Sequence, residues 1–98
     1  MTKYMADIEL PEQYSVEFVS LIPEQRATIN RLLKKGVILN YSLATDRSKL
    51  WVILEANDEV EARNIIGSFP IFNHIRVKIF ELMFNQVTAN ILPQLWLN

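Results

Sequence analysis

The sequence has no cysteine, one histidine and only two glycines. Without cysteine there can be no disulfide, thiolate metal site, iron–sulfur cluster or thiol nucleophile. One histidine does not make a histidine-based metal site by itself. Two glycines are too few for a phosphate-cradling loop, and no G-x-G-x-x-G, P-loop or H-E-x-x-H motif occurs. We therefore expect a protein without a metal or an organic cofactor.

The charge balance shows no excess of either sign. Ten Lys and Arg residues face eleven Asp and Glu residues, which gives a net charge of −1. A nucleic-acid-binding domain usually carries a basic excess or stripe. The first residues lack the apolar core of a signal peptide, and no apolar run reaches the ~20 residues that cross a bilayer. We expect a cytoplasmic protein with no nucleic-acid or membrane partner.

Half of the 98 residues are hydrophobic, which suffices for one core but not for two. We therefore expect a single domain over residues 1–98. Residues 86–98 read as an apolar C-terminal extension that packs on its own subunit or on a partner. Its large apolar side chains are Ile91, Leu92, Leu95, Trp96 and Leu97.

Hydrophobic periodicity predicts six elements in the order β-α-β-β-α-β. Strands are predicted at 3–10, 37–44, 49–56 and 73–84, and helices at 15–35 and 59–68. With right-handed crossovers, this order gives the ferredoxin-like α+β fold, a four-stranded antiparallel sheet with two helices on one face. The alternative is a chance order of elements in another α+β fold.

Local signals support the boundaries of both helices. Ser15 is a predicted N-cap of the first helix, within which Pro23 predicts a kink or a restart. Gly36, after two lysines, predicts the end of that helix. Asp58 and Glu61 form the Asp-x-x-Glu pattern of a capping box for the second helix.

Two helices cover only one face of such a sheet. The other face is predicted to be apolar and to carry Met5, Leu39, Tyr41, Leu43, Trp51, Ile53, Phe80, Leu82 and Phe84. Monomers rarely expose an apolar patch of that size. We therefore expect a homodimer, or a higher homo-oligomer, that packs sheet against sheet. The alternative is that the C-terminal extension folds back over its own sheet.

Three segments of the chain form a pattern: Arg31–Gly36, the hairpin that follows it, and Phe69–Phe72 with Ile75 and Val77. They resemble segments of muconolactone isomerases of the dimeric α/β-barrel superfamily, and the resemblance covers about residues 27–84. After the last strand, where that family has a histidine, this chain has Asn85 and Gln86. The resemblance implies a dimeric α/β barrel and a small cofactor-free isomerase that moves a proton on a carboxylated or lactone-type molecule.

Glu81 is the candidate catalytic base. It is a carboxylate on a predicted strand face that otherwise holds Val77, Ile79 and Met83. We expect Glu81 to face the helices, where desolvation would make the carboxylate a stronger base. The alternative is that Glu81 pairs with a nearby cation, such as Arg26, or reaches solvent.

The candidate substrate-binding residues are Tyr4, Arg26, Asn30, Asn40, Ser42 and His74. Tyr4, Asn40 and Ser42 are predicted on the helix-facing side of the sheet. Arg26 and Asn30 lie four residues apart on one helix stripe, which suits a substrate carboxylate. The alternative function is a non-catalytic small-molecule-binding or oligomerisation module, which needs only the pocket and the sheet interface.

Overall fold

The computed structural model describes residues 1–88. These residues form the predicted order of four strands and two helices. The bounds are β1 Thr2–Glu9, α1 Val16–Lys34, β2 Ile38–Leu43, β3 Lys49–Ala56, α2 Glu59–Gly67, a 3-10 turn at Phe72–His74, and β4 Arg76–Glu81. β4 is shorter than predicted at both ends, because the 3-10 turn occupies its predicted start. Most of the predicted C-terminal extension, residues 89–98, lies outside the described residues.

The strands form one antiparallel sheet in the order β2-β3-β1-β4. The first strand is thus central, and the two crossovers bring both helices to the same face. This is the ferredoxin-like fold that the order of elements predicted. Because β2 and β4 are the edge strands, residues at their ends are covered on fewer sides than residues of β1 and β3.

The core lies between the helices and one face of the sheet. Along β1, buried residues alternate with half-buried ones, as expected for a strand with one covered face. Ala6 shows the packing: it lies opposite Val52 on β3 and Ile79 on β4, and it is fully buried. The buried hydrophobic residues are Tyr4, Ala6, Ile8, Leu10, Phe18, Ile29, Ile38, Leu50, Val52, Leu54, Ala56, Ala62, Ile66, Phe69 and Ile71.

Helix α1 begins and ends where the sequence predicts. The side chain of Ser15 accepts a hydrogen bond from the backbone N–H of Phe18 at 3.1 Å. Pro23 is exposed within one continuous helix, so the helix is not restarted there. At the other end, Gly36 has φ +73° and donates to Leu33 O, and the next N–H donates to Leu32 O. These two bonds are a Schellman cap, which requires the left-handed backbone that glycine adopts.

Helix α2 is capped by two reciprocal contacts. Asp58 Oδ1 accepts from the backbone N–H of Glu61 at 2.8 Å. The Glu61 carboxylate in turn accepts from the backbone and side-chain nitrogens of Asn57, both at 3.1 Å. In a capping box, the glutamate accepts from the backbone N–H of the cap residue itself. Here Glu61 accepts from Asn57, one residue before the cap, and so satisfies a neighbouring backbone donor.

A β-bulge at Leu39 reverses the two faces of β2 relative to the prediction. Ile38 pairs with Leu54, but the next paired residue is Asn40, opposite Ile53. Since side chains alternate along a strand, one extra residue moves all that follow to the other face. Tyr41, expected on the free face, therefore lies opposite Val52 on the helix side.

The same bulge explains why the other predicted side-chain positions in β2 are wrong. Leu43 lies opposite the buried Leu50 on the helix side, not on the free face. Ser42, expected to face the helices, lies opposite Trp51 on the free face, and Asn40 is on that face too. The free face is consequently less apolar than predicted.

The cap at the end of α1 gives a direct test of backbone strain. We expect Gly36→Ala to lower the free energy of unfolding by about 1 kcal/mol, because an alanine must adopt the left-handed conformation there. A Cβ at Gly36 would meet no atom within 4 Å, so crowding does not contribute. Urea titration followed by circular dichroism measures the change.

Gly67 is the matched control. It lies in α2, and a Cβ there also meets no atom within 4 Å. Gly67→Ala should leave stability unchanged or raise it, because alanine is the better helix former. Equal losses at the two positions would contradict the role given to the Gly36 conformation.

Candidate functional site

A cleft of about 390 Å³ lies between the first half of α1 and the β2–β3 end of the sheet. Its lining residues are Leu10, Tyr14, Phe18, Val19, Ile22, Gln25, Arg26, Tyr41, Leu43, Arg47, Leu50 and Ile71. Most of these side chains are apolar, and the polar groups among them are two phenols, one amide and two guanidinium groups. Apolar walls with a few convergent polar groups are typical of small-molecule sites.

Two local features of the sequence build the cleft. On α1, Phe18, Ile22 and Gln25 follow one another at the spacing of a single helix face and so point the same way. On β2, the bulge at Leu39 turns Tyr41 and Leu43 toward α1. Without the bulge, the polar Asn40 and Ser42 would line this wall instead.

The hairpin between β2 and β3 places Arg47 beside the cleft. Arg47 has φ +63°, a left-handed turn conformation that is uncommon outside glycine. Asp46 Oδ1 stabilises the turn by accepting from Ser48 N at 3.0 Å and from Ser48 Oγ at 2.6 Å. These hydrogen bonds lower the pKa of Asp46. The Tyr14 hydroxyl donates a hydrogen bond to Arg47 O at 2.9 Å, which links the segment before α1 to the hairpin beside the cleft.

Gln25 is a polar side chain in the apolar wall and only 4% exposed. Its Oε1 accepts from the backbone N–H of Ile71 at 3.4 Å, which fixes the orientation of the amide. Within residues 1–88, its Nε2 has no hydrogen-bond partner. Leaving a buried donor unpaired costs about 1–3 kcal/mol. The position therefore calls for an acceptor from outside the described residues or from a side chain that moves.

Tyr41 lies beside this amide and is half-buried. Burial raises the pKa of the Tyr41 phenol, while the neighbouring Gln25 amide and the charge of Arg26 act in the opposite direction. No hydrogen bond of normal length and angle joins Gln25 Nε2 to the phenol, even though the two side chains are close. Because the net shift is upward, Tyr41 is a neutral hydrogen-bond donor at pH 7 and not a base.

The structure places Glu81 away from the cleft. It lies directly opposite Tyr4, at the end of edge strand β4, and it is exposed. Burial raises the pKa of Tyr4 and the negative charge of Glu81 raises it further, so the two groups are close. Leu10, at the cleft, is six residues from Tyr4 along the chain, or ~20 Å. Glu81 is on the helix-facing side of the sheet, as predicted, because it shares that side with the buried Tyr4. Its predicted burial is wrong, because β4 ends there and nothing among residues 1–88 covers it, so the alternative that Glu81 reaches solvent is the one observed.

The predicted substrate-binding residues are dispersed over the molecule. Arg26 lines the cleft, whereas Asn30, one turn later on α1, is exposed and does not. Tyr4 is buried in the core at the far end of β1. On the free face, Ser42 Oγ donates to Asn40 Oδ1 at 3.0 Å, so these two residues bind each other on the wrong side of the sheet for this cleft.

His74 lies behind the cleft wall. Its ring packs edge-on against Phe18, with ring centroids 5.6 Å apart, and its Nε2 is 3.9 Å from Glu17 Oε1. Phe18 therefore stands between His74 and the cleft. The position is that of a half-buried packing residue beside a solvent-exposed carboxylate.

Four polar residues of the cleft were not among the predicted site residues: Tyr14, Gln25, Tyr41 and Arg47. Gln25 carries a readable signal, since it is an amide on the apolar stripe that also holds Phe18 and Ile29. Tyr41 was assigned to the opposite face because strict alternation contains no sign of a bulge. Arg47 lies in the turn between β2 and β3, where no site residue was predicted.

No group of three or more histidine, cysteine or carboxylate side chains within residues 1–88 is placed to hold a metal ion. Over the same residues, no helix has the length and apolar character needed to span a membrane.

Comparison with known proteins shows which solved structures have a similar fold. No protein-family model matches this sequence, and no curated protein matches it. Among solved structures, muconolactone isomerase is similar with a TM-score of 0.70 and 10% identity, over 88% of this chain and 93% of that chain. The fold resembles that of muconolactone isomerase. MtbAldR is similar with a TM-score of 0.53 and 14% identity, over 89% of this chain and 57% of its own.

These identities are low enough that the likeness concerns the fold alone. The predicted ferredoxin-like fold and the predicted resemblance to muconolactone isomerases in architecture are confirmed. Function has to be argued from the side chains of this chain.

The Asp46 turn predicts a pH dependence of stability. The folded protein holds the pKa of Asp46 below its usual 3.8, so the carboxylate stabilises the fold above pH 3.8. That contribution is lost as the pH falls through the lowered value. In Asp46→Asn, the stability difference from the wild type should therefore be largest above pH 3.8 and shrink below it, as measured by urea titrations across the acid range.

Ser48→Ala is the control for the cause of this effect. It keeps the Asp46 carboxylate but removes the donor at 2.6 Å, so the acid-dependent part of the stability should decrease without vanishing. Parallel stability curves for the wild type and Asp46→Asn at every pH would show that the turn contacts do not act through the charge.

Proposed function

We propose that this protein binds a small organic acid in the cleft between α1 and the hairpin. The observation that carries the proposal is the pair of cations, Arg26 and Arg47, beside a wall that is otherwise mainly apolar. Guanidinium groups bind carboxylates through paired, charge-assisted hydrogen bonds. The volume of about 390 Å³ lies within the range of small-molecule sites.

The apolar wall specifies the rest of the ligand. Val19, Ile22 and Leu43 offer surface to a hydrocarbon or aromatic body, and burying it favours binding by ~25 cal/mol per Å². The ligand class is therefore an acid with a compact apolar or aromatic part. A phosphate ester without such a part would leave this wall uncovered.

The side chains that line the cleft favour binding over catalysis. The lining includes neither a carboxylate nor a histidine, and the raised pKa of Tyr41 suits a donor and not a base. Proton transfer of the kind a muconolactone isomerase-like enzyme performs needs a base, and the candidate Glu81 is at the other end of β1. Isomerisation is the second candidate, supported by the likeness in fold to muconolactone isomerase.

The two candidates respond differently to substitution. Glu81→Gln should leave binding in the cleft unchanged if the protein is a binding module, and Arg26→Gln should weaken it. If a substrate is found whose turnover falls 10²–10⁴-fold in Glu81→Gln, the isomerase candidate is the correct one.

A matched pair of probes tests the acid-binding function. We expect 3-phenylpropanoate to bind more tightly than the uncharged 3-phenylpropanamide, since only the acid pairs with the guanidinium groups. Arg26→Gln and Arg47→Gln should each weaken binding of the acid about tenfold, the usual effect of removing a hydrogen bond to a charged group. Titrations followed by nuclear magnetic resonance measure both affinities.

Arg31→Gln is the control, because Arg31 is an exposed cation on the same helix outside the cleft. Its affinity for the acid should stay that of the wild type. Equal binding of acid and amide, or equal losses in all three arginine variants, would contradict a carboxylate site at Arg26 and Arg47.

We also propose that a second copy of the chain packs on the free face of the sheet. Met5 lies opposite both Ile53 and Phe80, which makes an apolar band across three strands. Trp51 and Phe80 on this face are 36% and 52% exposed. Two ion pairs border the band, Lys3–Glu55 at 3.6 Å and Lys49–Asp7 at 3.0 Å.

Sedimentation equilibrium at micromolar concentration tests this assembly. The wild type should contain at least two chains, and Phe80→Asp should dissociate them, because a charge in the band loses its hydration on packing. Val60→Asp is the control, since Val60 is 67% exposed on α2, away from the sheet face. A monomeric wild type would contradict sheet-on-sheet packing.

A further inference from the structure

We propose that Tyr41 donates a hydrogen bond to the bound acid and that Gln25 is the positioning residue that orients the Tyr41 phenol for it. The inference rests on the proposed acid-binding function and adds a neutral donor to the two arginines. It stands on the placement of Gln25 and Arg26 on α1 and of Tyr41 on β2, around the same cleft.

The first step is the fixed orientation of the Gln25 amide. The Ile71 N–H donates to Oε1 at 3.4 Å, so the NH₂ end points away from the backbone of Ile71. This end is buried and unpaired within residues 1–88. An amide nitrogen donates and does not accept, so it needs an oxygen.

The second step is the identity of that oxygen. Gln25 and Tyr41 line the same cleft, and a donor directed at the phenol oxygen favours the phenolate over the phenol. A small movement of the Tyr41 ring therefore completes a hydrogen bond from Gln25 Nε2 to the phenol oxygen. That movement satisfies the buried donor without any change in the backbone.

The third step concerns the phenol proton. When Gln25 donates to the phenol oxygen, the O–H of Tyr41 has to point elsewhere, and Arg26 offers only donors. An acid oxygen held by Arg26 is the acceptor that the O–H needs. The hydrogen bonds then run in one direction, from Ile71 N–H through Gln25 and Tyr41 to the ligand, and each strengthens the next.

This arrangement determines specificity. Arg26 and Arg47 attract any anion, whereas Tyr41 requires an acceptor oxygen at one place beside the apolar wall. An anion that does not present its oxygen there leaves the Tyr41 O–H without its acceptor. The cleft should thus select carboxylates whose apolar part fills the wall over small inorganic anions.

A measurement without ligand tests the contact between the two residues. Three tyrosines occur in the sequence, and the ring-carbon resonance assigned by its loss in Tyr41→Phe reports the Tyr41 titration. In Gln25→Met the pKa of Tyr41 should rise above that of the wild type, because the phenolate loses a donor. Gln13→Met, at an exposed glutamine before α1, should leave it unchanged. An unchanged Tyr41 pKa in Gln25→Met overturns the inference.

A double-mutant cycle with 3-phenylpropanoate tests the action through Tyr41. Tyr41→Phe should weaken binding about tenfold, and Gln25→Met should weaken it severalfold. In the Tyr41→Phe background, Gln25→Met should cause no further loss. Multiplicative losses overturn the positioning role, because Gln25 would then act on binding without Tyr41.

The remaining outcomes separate this inference from the proposed function. If Arg26→Gln weakens binding and Tyr41→Phe does not, the acid site stands and the inference is wrong. If the wild type does not bind 3-phenylpropanoate, both are wrong. Where Gln25→Met does not fold, as judged by circular dichroism, Gln25→Leu takes its place in the cycle.

Discussion

The β-bulge at Leu39 is the constraint on which both surfaces of the protein depend. Upstream of it, Ile38 packs into the core opposite Leu54, as a regular strand predicts. Downstream, the alternation continues on the opposite phase, so Tyr41 enters the cleft and Ser42 lies on the free face. One inserted residue thus puts the aromatic Tyr41 on the helix side and the hydroxyl of Ser42 on the free face, the reverse of what a regular strand would give.

The predictable parts of this fold are those with a local chemical cause. Ser15 and Asp58 begin helices because their side chains accept from backbone donors three residues later. Gly36 ends α1 because a Schellman cap needs a left-handed residue. Each of these features involves a few consecutive residues, so the sequence contains the whole interaction.

The parts that could not be predicted depend on residues far apart in the chain. The bulge is decided by how β2 pairs with β3, and the residues around Leu39 carry no glycine or proline that would mark it. The exposure of Glu81 follows from β4 being an edge strand that ends at that residue, and alternation within a strand does not report what covers it. Arg26 was assigned to a ligand site and does line the cleft, yet the partners expected for it lie elsewhere.

The polar groups of the cleft differ in kind from the predicted ones. The predicted site contained a carboxylate base, whereas the structure brings together Gln25, Arg26, Tyr41 and Arg47. All four side chains can donate hydrogen bonds, and the two guanidinium groups contain no atom that accepts one. A cluster of donors in an apolar wall stabilises added negative charge and gives no means of removing a proton. This is why the geometry supports recognition of an acid more strongly than its conversion.

The cleft and the free face share strand β2 but use alternate residues of it. Tyr41 projects to one side, toward Gln25 and Arg26, and Ser42 projects to the other, opposite Trp51. A displacement of β2 along β3 by one residue would undo both surfaces together, because it would exchange their side chains. A rotation of the Tyr41 side chain alone affects only the cleft. Ligand binding that moves Tyr41 without shifting the strand therefore leaves the apolar band of Met5, Ile53 and Phe80 intact. The proposed binding of an acid and the proposed packing of a second copy thus use opposite faces of the sheet and are compatible.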